Sequence, residues 1–179
     1  MNGENMSDDV EAEEPLYVRD PEVWREQLAE GNRFQARKRV AAKVLLRDEQ
    51  RRVLLVDPVY KPFWDLPGGM VEANEAPHQA ALRELHEELG LVVELKGLLS
   101  VEWVAPRDPW DDLIMFVFDG GTVTSDVASD LNPKDEELRA VGWYTSDQVA
   151  GLLREDVWER TRQALRAQGN RTAVYRYRP

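Results

Sequence analysis

Nine positions between residues 69 and 91 are fixed by type, and they constrain this chain more than any other feature. Gly69 is followed after five residues by Glu75 and after seven more by Arg83-Glu84-Leu85-His86-Glu87-Glu88-Leu89-Gly90-Leu91. At average residue usage, a chain of 179 residues matches that string by chance with a probability on the order of 10⁻⁷. The stretch 77–89 reads as a helix that Gly90 terminates. On it Ala81, Leu82, Leu85 and Leu89 share the arc that packs on a sheet. Glu84, Glu87 and Glu88 share a different arc, because i, i+3 and i+4 are neighbours on a helix surface. Like charges at that spacing destabilise by roughly a few tenths of a kcal/mol each. Arg83 can pair with Glu87, yet the cluster keeps excess negative charge.

A hard divalent cation would remove that repulsion. Mg²⁺ takes carboxylate oxygens in octahedral geometry, keeps several waters and shares its shell with substrate phosphates. Three glutamates alone describe a solvated helix face equally well; the flanking residues tip the balance. Gly68 and Gly69 let the backbone approach a ligand and can turn a carbonyl toward a metal. Glu75 lies at the helix start, where the dipole favours a carboxylate, within reach of Arg83.

Charge and composition limit the partners. The 34 acidic and 23 basic residues leave a net charge of -11, which repels a nucleic-acid backbone, so no nucleic-acid polymer is expected as partner. A small phosphorylated ligand is compatible with that charge, since divalent cations and a few arginines can reverse the sign within a cleft. No apolar run approaches the roughly 20 residues needed to cross a bilayer, and no cationic stretch followed by an apolar one opens the chain. No membrane partner is expected, therefore, and the cytoplasm is the default compartment. With no cysteine in the sequence, disulfides, thiolate metal sites and cysteine nucleophiles are excluded.

The rest of the pattern describes one α/β domain with a mixed sheet and helices on its faces. Residues 1–14 form an acidic stretch expected to be disordered. Residues 15–35 are read as a helical extension, capped by Asp20, started by Pro21 and ended by Gly31, with Val23, Trp24 and Leu28 facing the domain body. The domain proper is assigned to 36–170. Apolar strands at 39–46 and 53–56 flank a charged turn and make a hairpin. Further strands are expected at 91–94, 98–104, 113–118 and 140–144, with Gly120-Gly121 turning the chain, and helices at 146–153 and 156–168. Residues 171–179 alternate basic and aromatic side chains, as an edge strand or a tail.

Residues 69–91 resemble the Nudix box at every fixed position, and Trp64-Asp65-Leu66-Pro67-Gly68 is similar to the approach to that box. The resemblance implies a Nudix-type α/β/α sandwich and a hydrolase of nucleoside diphosphates linked to a further group, dependent on Mg²⁺ or Mn²⁺. By position it implies that Glu84, Glu87 and Glu88 ligate metal together with the Gly68 carbonyl. Gly69 opens the box, and Glu75 and Arg83 form a supporting salt bridge that orients the helix. The general base in this family comes from the box helix, here Glu84 or Glu87, or from a loop elsewhere. Within the loop Asp135-Glu136-Glu137, Glu137 ranks first because it directly precedes a Trp-bearing strand. Family members often carry Ser or Thr where this chain has Ala76, so Asn74 or Glu75 is left to cap the helix.

Substrate choice is less sharply written. Pro106 lies 16 positions after Gly90, a spacing that resembles the ADP-ribose pyrophosphatase branch. Lys61, Trp64, Arg107 and Trp110 flank the expected cleft as substrate-binding candidates, each more readily structural and Trp64 most readily core. His78 and His86 fall on an exposed face and lack a partner for histidine chemistry. The favoured function is cleavage of a pyrophosphate linkage in a small nucleotide, ADP-ribose-like first and a (d)NTP next. The alternative is a non-catalytic nucleotide-binding domain acting as sensor or interaction module, which has no need of all three carboxylates. Homodimers are frequent among the proteins this chain resembles.

Overall fold

A computed structural model of the chain describes residues 14–178. The acidic stretch expected to be disordered over 1–14 therefore lies, Glu14 apart, outside the described residues. The chain divides into two units, 1–37 and 38–179.

In the first unit, α1 (Leu16–Arg19) leads into α2 (Pro21–Phe34). Asp20 caps α2 by accepting a hydrogen bond from the Val23 N–H at 3.1 Å. The helix does not end at Gly31 but runs to Phe34, since one interior glycine costs only about 1 kcal/mol relative to alanine. None of its residues is buried, and Val23, Trp24 and Leu28, expected on a covered face, are exposed.

The second unit runs β1 (Arg39–Asp48), β2 (Val53–Pro58), β3 (Gly68–Met70), α3 (Pro77–Leu89), β4 (Gly97–Val104), β5 (Leu113–Val123), α4 (Ser125–Ser129), β6 (Leu138–Tyr144), α5 (Ser146–Leu152), α6 (Glu155–Asn170) and β7 (Val174–Arg178). One mixed seven-stranded sheet has the order β6-β2-β1-β5-β4-β7, with β3 also paired to β1. β1–β5 and β4–β7 are parallel and the other pairs antiparallel. Strand β1 reads as a near-continuous apolar run because both of its faces are covered. Ala42, Val44 and Leu46 meet Leu85 and Leu89 of α3 on one face. Leu45 joins Leu55, Val117, Val149, Val157 and Ala164 on the other, where α5 and α6 lie. The result is a mixed sheet between helices, an α/β/α sandwich.

The strand expected at 91–94 is absent. Gly90 ends α3 with φ 68°, and the Leu91 N–H returns to the Leu85 carbonyl at 3.2 Å. The buried Leu91 side chain is thus spent on closing the helix rather than on a ladder. Gly120-Gly121 does not turn the chain either. β5 continues through it to Val123, and its pairing with β1 shifts register between Leu45 and Arg47. A side chain at Gly120 would strike Leu46 and Val44, so close packing rather than reversal accounts for the glycine. The terminal segment is an edge strand, β7 pairing with β4 from Ser100 opposite Val174 onward.

One detail of the sheet positions the site. β1 meets β2 at Arg47 opposite Val53, and β3 at Ala41 to Lys43 opposite Met70 to Gly68. The Leu66-Pro67-Gly68-Gly69 break is therefore pinned beside Lys43, and the Val44 N–H donates to the Pro67 carbonyl at 3.0 Å.

Candidate active site

Gly68 is the corner on which the site is built. Its φ of +117° is one that residues with a side chain rarely adopt, and a Cβ there would lie 2.3 Å from the Ala42 carbonyl oxygen. That corner sends the Gly68 N–H to Glu88 Oε2 at 2.9 Å. The Gly68 carbonyl accepts from the Lys43 ammonium. Lys43 Nζ also stands 3.4 Å from Asp65 Oδ2, which receives Lys61 Nζ at 2.5 Å. Gly69 is less confined, since a Cβ on it would first meet the Glu84 carboxylate, the far end of a flexible side chain.

The three box glutamates are treated differently. Glu88 is buried, Glu84 half-buried and Glu87 exposed. Arg83 holds the outer pair, with Nη1 at 3.0 Å from Glu84 Oε1 and 2.9 Å from Glu87 Oε2. The same guanidinium grips both oxygens of Glu75, at 2.9 and 3.0 Å, and donates to the Met70 carbonyl at 3.1 Å. This fork ties the turn before α3 to its middle. Among the described residues, no three acidic, His or Cys side chains are gathered into a group that could hold a metal. The expected triad is thus not assembled as a cage: Glu87 is turned to Arg83, and Lys43 already bonds the Gly68 carbonyl. The donor chemistry nonetheless fits a hard divalent cation, since Glu84, Glu88 and Gly68 line one cleft with oxygen donors.

Burial drives the electrostatics. It pushes the Glu88 carboxyl up to about 7, with Glu84 and Asp65 adding to the rise and Lys43 and the Gly68 N–H opposing it. Glu84 is likewise raised, chiefly by burial and against the pull of Arg83. Burial acts in the same sense on Asp65, but Lys43 and Lys61 outweigh it and hold that carboxyl down at about 2. Lys61 is lowered by burial with Lys43 nearby, while Asp65 opposes the change. For Lys43 burial favours the neutral amine, but Asp65 and Glu88 prevail and its pKa is raised.

The cleft has a volume of about 1030 Å³, at the upper end of the range of about 300–1,000 Å³ usual for small-molecule sites. Glu137, Lys61, Pro106, Arg107 and Trp110 of the expected residues line it. Glu137 is exposed there, and its loop is anchored by the Val59 N–H on the Glu137 carbonyl at 2.7 Å. Trp64 does not line the cleft; it packs edge-on against Tyr144 at 5.1 Å, beside the core on the α5–α6 side. Its substrate-binding assignment is therefore corrected to a packing one. Neither Asn74 nor Glu75 caps α3. Ala76 is the cap residue, and the Gln79 side chain accepts from its N–H at 3.1 Å.

Sequence reasoning missed several charged and aromatic residues of the cleft wall, among them Lys43, Asp65, Arg39, Phe63 and Arg154. Lys43 and Asp65 are described above. Arg39 lies 4.5 Å from the Trp110 ring centroid, and Arg154 lies 4.8 Å from that of Phe63. A lysine inside the apolar run of β1 was the one legible signal. Arg39, half-buried, and Arg154, exposed, carried none, since arginines are common at strand and helix starts.

A family model described as NUDIX domain matches residues 37–168. An ADP-ribose pyrophosphatase of Methanocaldococcus jannaschii is 32% identical over 94 residues, covering 51% of this chain and 56% of that protein. A putative 8-oxo-dGTP diphosphatase of Bacillus subtilis is 40% identical over 60 residues, covering 34% of this chain and 40% of that protein. This chain thus spans about half the length of these relatives. Among solved structures, the NUDIX domain of Shewanella oneidensis NrtR complexed with ADP ribose matches with a TM-score of 0.63 at 22% identity, covering 80% of this chain and 97% of that one. That likeness is one of fold. With its sandwich, its glycine corner and a family match across most of its length, this chain belongs to the NUDIX domain family.

Proposed function

We propose that this protein is a divalent-cation-dependent pyrophosphohydrolase that cleaves a small nucleoside diphosphate derivative, with ADP-ribose as the favoured substrate class. The observation that carries the reading is the convergence of Glu84, Glu88 and Gly68 on the wall of a cleft also lined by Lys61, Arg107, Arg154 and Trp110. Oxygen donors for a cation and cationic donors for phosphate face one space large enough for a dinucleotide-sized ligand. Glu84, Glu88 and the Gly68 carbonyl would hold the ion, with Glu87 able to join them from α3. A bound Mg²⁺ or Mn²⁺ would neutralise phosphate charge and acidify a water.

The remaining work falls to the chain itself. Lys61 and Arg107 bind phosphate oxygens, and the planar Trp110 and Phe63 rings offer faces to a base. Water forms the new bond to phosphorus and the bridging anhydride oxygen departs with the other phosphate. Glu137, an exposed carboxylate on the cleft wall, accepts the proton. ADP-ribose then yields AMP and ribose 5-phosphate.

A panel of ADP-ribose and (d)NTPs, incubated with chelator-treated protein and then with Mg²⁺, tests this. Release of AMP and ribose 5-phosphate is expected only after Mg²⁺ is added. A preference for triphosphates above about tenfold, or about 1.4 kcal/mol, would overturn the substrate assignment. Binding of nucleotide with no cleavage under any metal would establish the sensor alternative instead.

A further inference from the structure

Lys43 is a charged side chain in the buried middle of β1, only 7% exposed. Its strand neighbours Ala42 and Val44 are apolar, as is Val117 opposite it on β5. An aliphatic residue would bury the same stem without desolvating an ammonium, so packing alone does not explain the lysine. Its polar surroundings do. The ammonium is bonded to the Gly68 carbonyl and faces Asp65 Oδ2 at 3.4 Å. Both acceptors are hard oxygens of the kind a divalent ion selects. Glu88 holds the N–H of the same glycine, so the lysine sits on the wall where the proposed metal ligands gather.

We propose that Lys43 is a resident cation of the site, competing with a divalent ion for the Gly68 carbonyl and its anionic surroundings. It thereby weakens metal binding until a phosphate-bearing ligand enters the cleft and receives the ammonium. This inference rests on the hydrolase reading above and concerns its regulation by ligand order. Metal and nucleotide would bind as a pair, because each removes a charge conflict that opposes the other.

Calorimetric titration of Mn²⁺ into chelator-treated full-length protein, with and without saturating α,β-methylene-ADP, tests the idea. The variants are Lys43→Gln, which keeps a donor for the Gly68 carbonyl, and Lys43→Met. Without nucleotide, the Mn²⁺ Kd is expected to fall roughly tenfold or more in both, as the like charge is removed. Lys43→Arg, which keeps the charge, should stay within about threefold of wild type on the same argument. The gain in Mn²⁺ affinity on adding the analogue should be large in wild type and much reduced in the neutral variants. Should Lys43→Met fail to fold, as judged by circular dichroism, Lys43→Gln decides alone. Unchanged or weaker Mn²⁺ binding in the neutral variants, or an equal nucleotide-induced gain in all proteins, overturns the proposal. Wild-type protein that hydrolyses ADP-ribose while the variants show no gain in affinity would sink this inference alone. Wild-type protein that binds no Mn²⁺ in either state would remove the hydrolase reading as well.

Discussion

Glu88 on α3 and Glu102 on β4 are both sealed from solvent, at 9% and 1% exposure, yet their surroundings treat them in opposite ways. Glu102 is clamped by a guanidinium, Arg160 Nε lying 2.5 Å from Oε2, with Arg176 Nη2 3.9 Å from Oε1. Glu88 has a backbone N–H instead, on a wall where Glu84 and Asp65 crowd it and Lys43 relieves it in part. A carboxylate clamped through one oxygen by a buried guanidinium has its charge matched, although Glu102 Oε1 itself accepts no hydrogen bond. Glu88, bonded by one peptide N–H and only partly relieved by Lys43, is raised by burial to about 7. Burial depth therefore does not distinguish these two acids; the identity of the donor does.

That contrast can be broken experimentally, most sharply by paired substitutions. Glu102→Gln leaves Arg160 buried beside a neutral amide and should lower unfolding free energy by roughly 3–5 kcal/mol in urea titration. The kcat of its folded fraction is expected to stay within a few-fold of wild type. Glu88→Gln should do the reverse, cutting Mg²⁺-dependent kcat by about 100-fold or more while the metal-free protein remains folded. A Glu102→Gln protein as stable as wild type, or a fully active Glu88→Gln protein, would erase the distinction.

A pH series sharpens it. The folded-state pKa of Glu88 lies above its ordinary 4.5, at about 7. The folded protein thus holds a proton that the unfolded chain has already released. Stability of the metal-free protein should decline between those two values and level off above them, by roughly 3 kcal/mol from this group. The difference in melting temperature between wild type and Glu88→Gln, followed from pH 4 to 8, reads this directly: the variant should lack that share of the decline. Parallel profiles would show that Glu88 titrates normally. The smallest effect concerns the start of α3, where Ala76 offers no acceptor. Ala76→Ser should add about 1 kcal/mol to stability; no gain would mean that the Gln79 contact already satisfies that end.

Much of this molecule was legible in one dimension because its determinants are local. Helical spacing brings Arg83 to Glu87, and the run before the helix lets Arg83 reach Glu75; its further contact with Glu84 was not read from the spacing. Of the expected apolar arc of α3, Ala81, Leu85 and Leu89 are buried, while Leu82 is only half-buried and Ala80 is buried as well. Where local signals misled, a neighbour in space had reassigned the residue. Gly120-Gly121 has turn composition, but Leu46 and Val44 of β1 leave no room for a side chain at Gly120, and β5 runs on to Val123. Trp64 stands beside the box in sequence, but its ring is taken by Tyr144.

The chain by itself determined the box, the helix that bears it, the alternation of strands and helices, and the oxygen-rich character of the site. These follow from periodicity and residue chemistry over a few turns. Only the tertiary structure decided that Glu88 is buried while Glu87 stays outside, although both share one arc of α3. The fold also brings Lys43 to the Gly68 carbonyl and within 3.4 Å of Asp65 Oδ2. The physical reason is that burial and charge pairing depend on what packs opposite a residue. Here that is the β1–β3 register, a contact no spacing along the chain encodes.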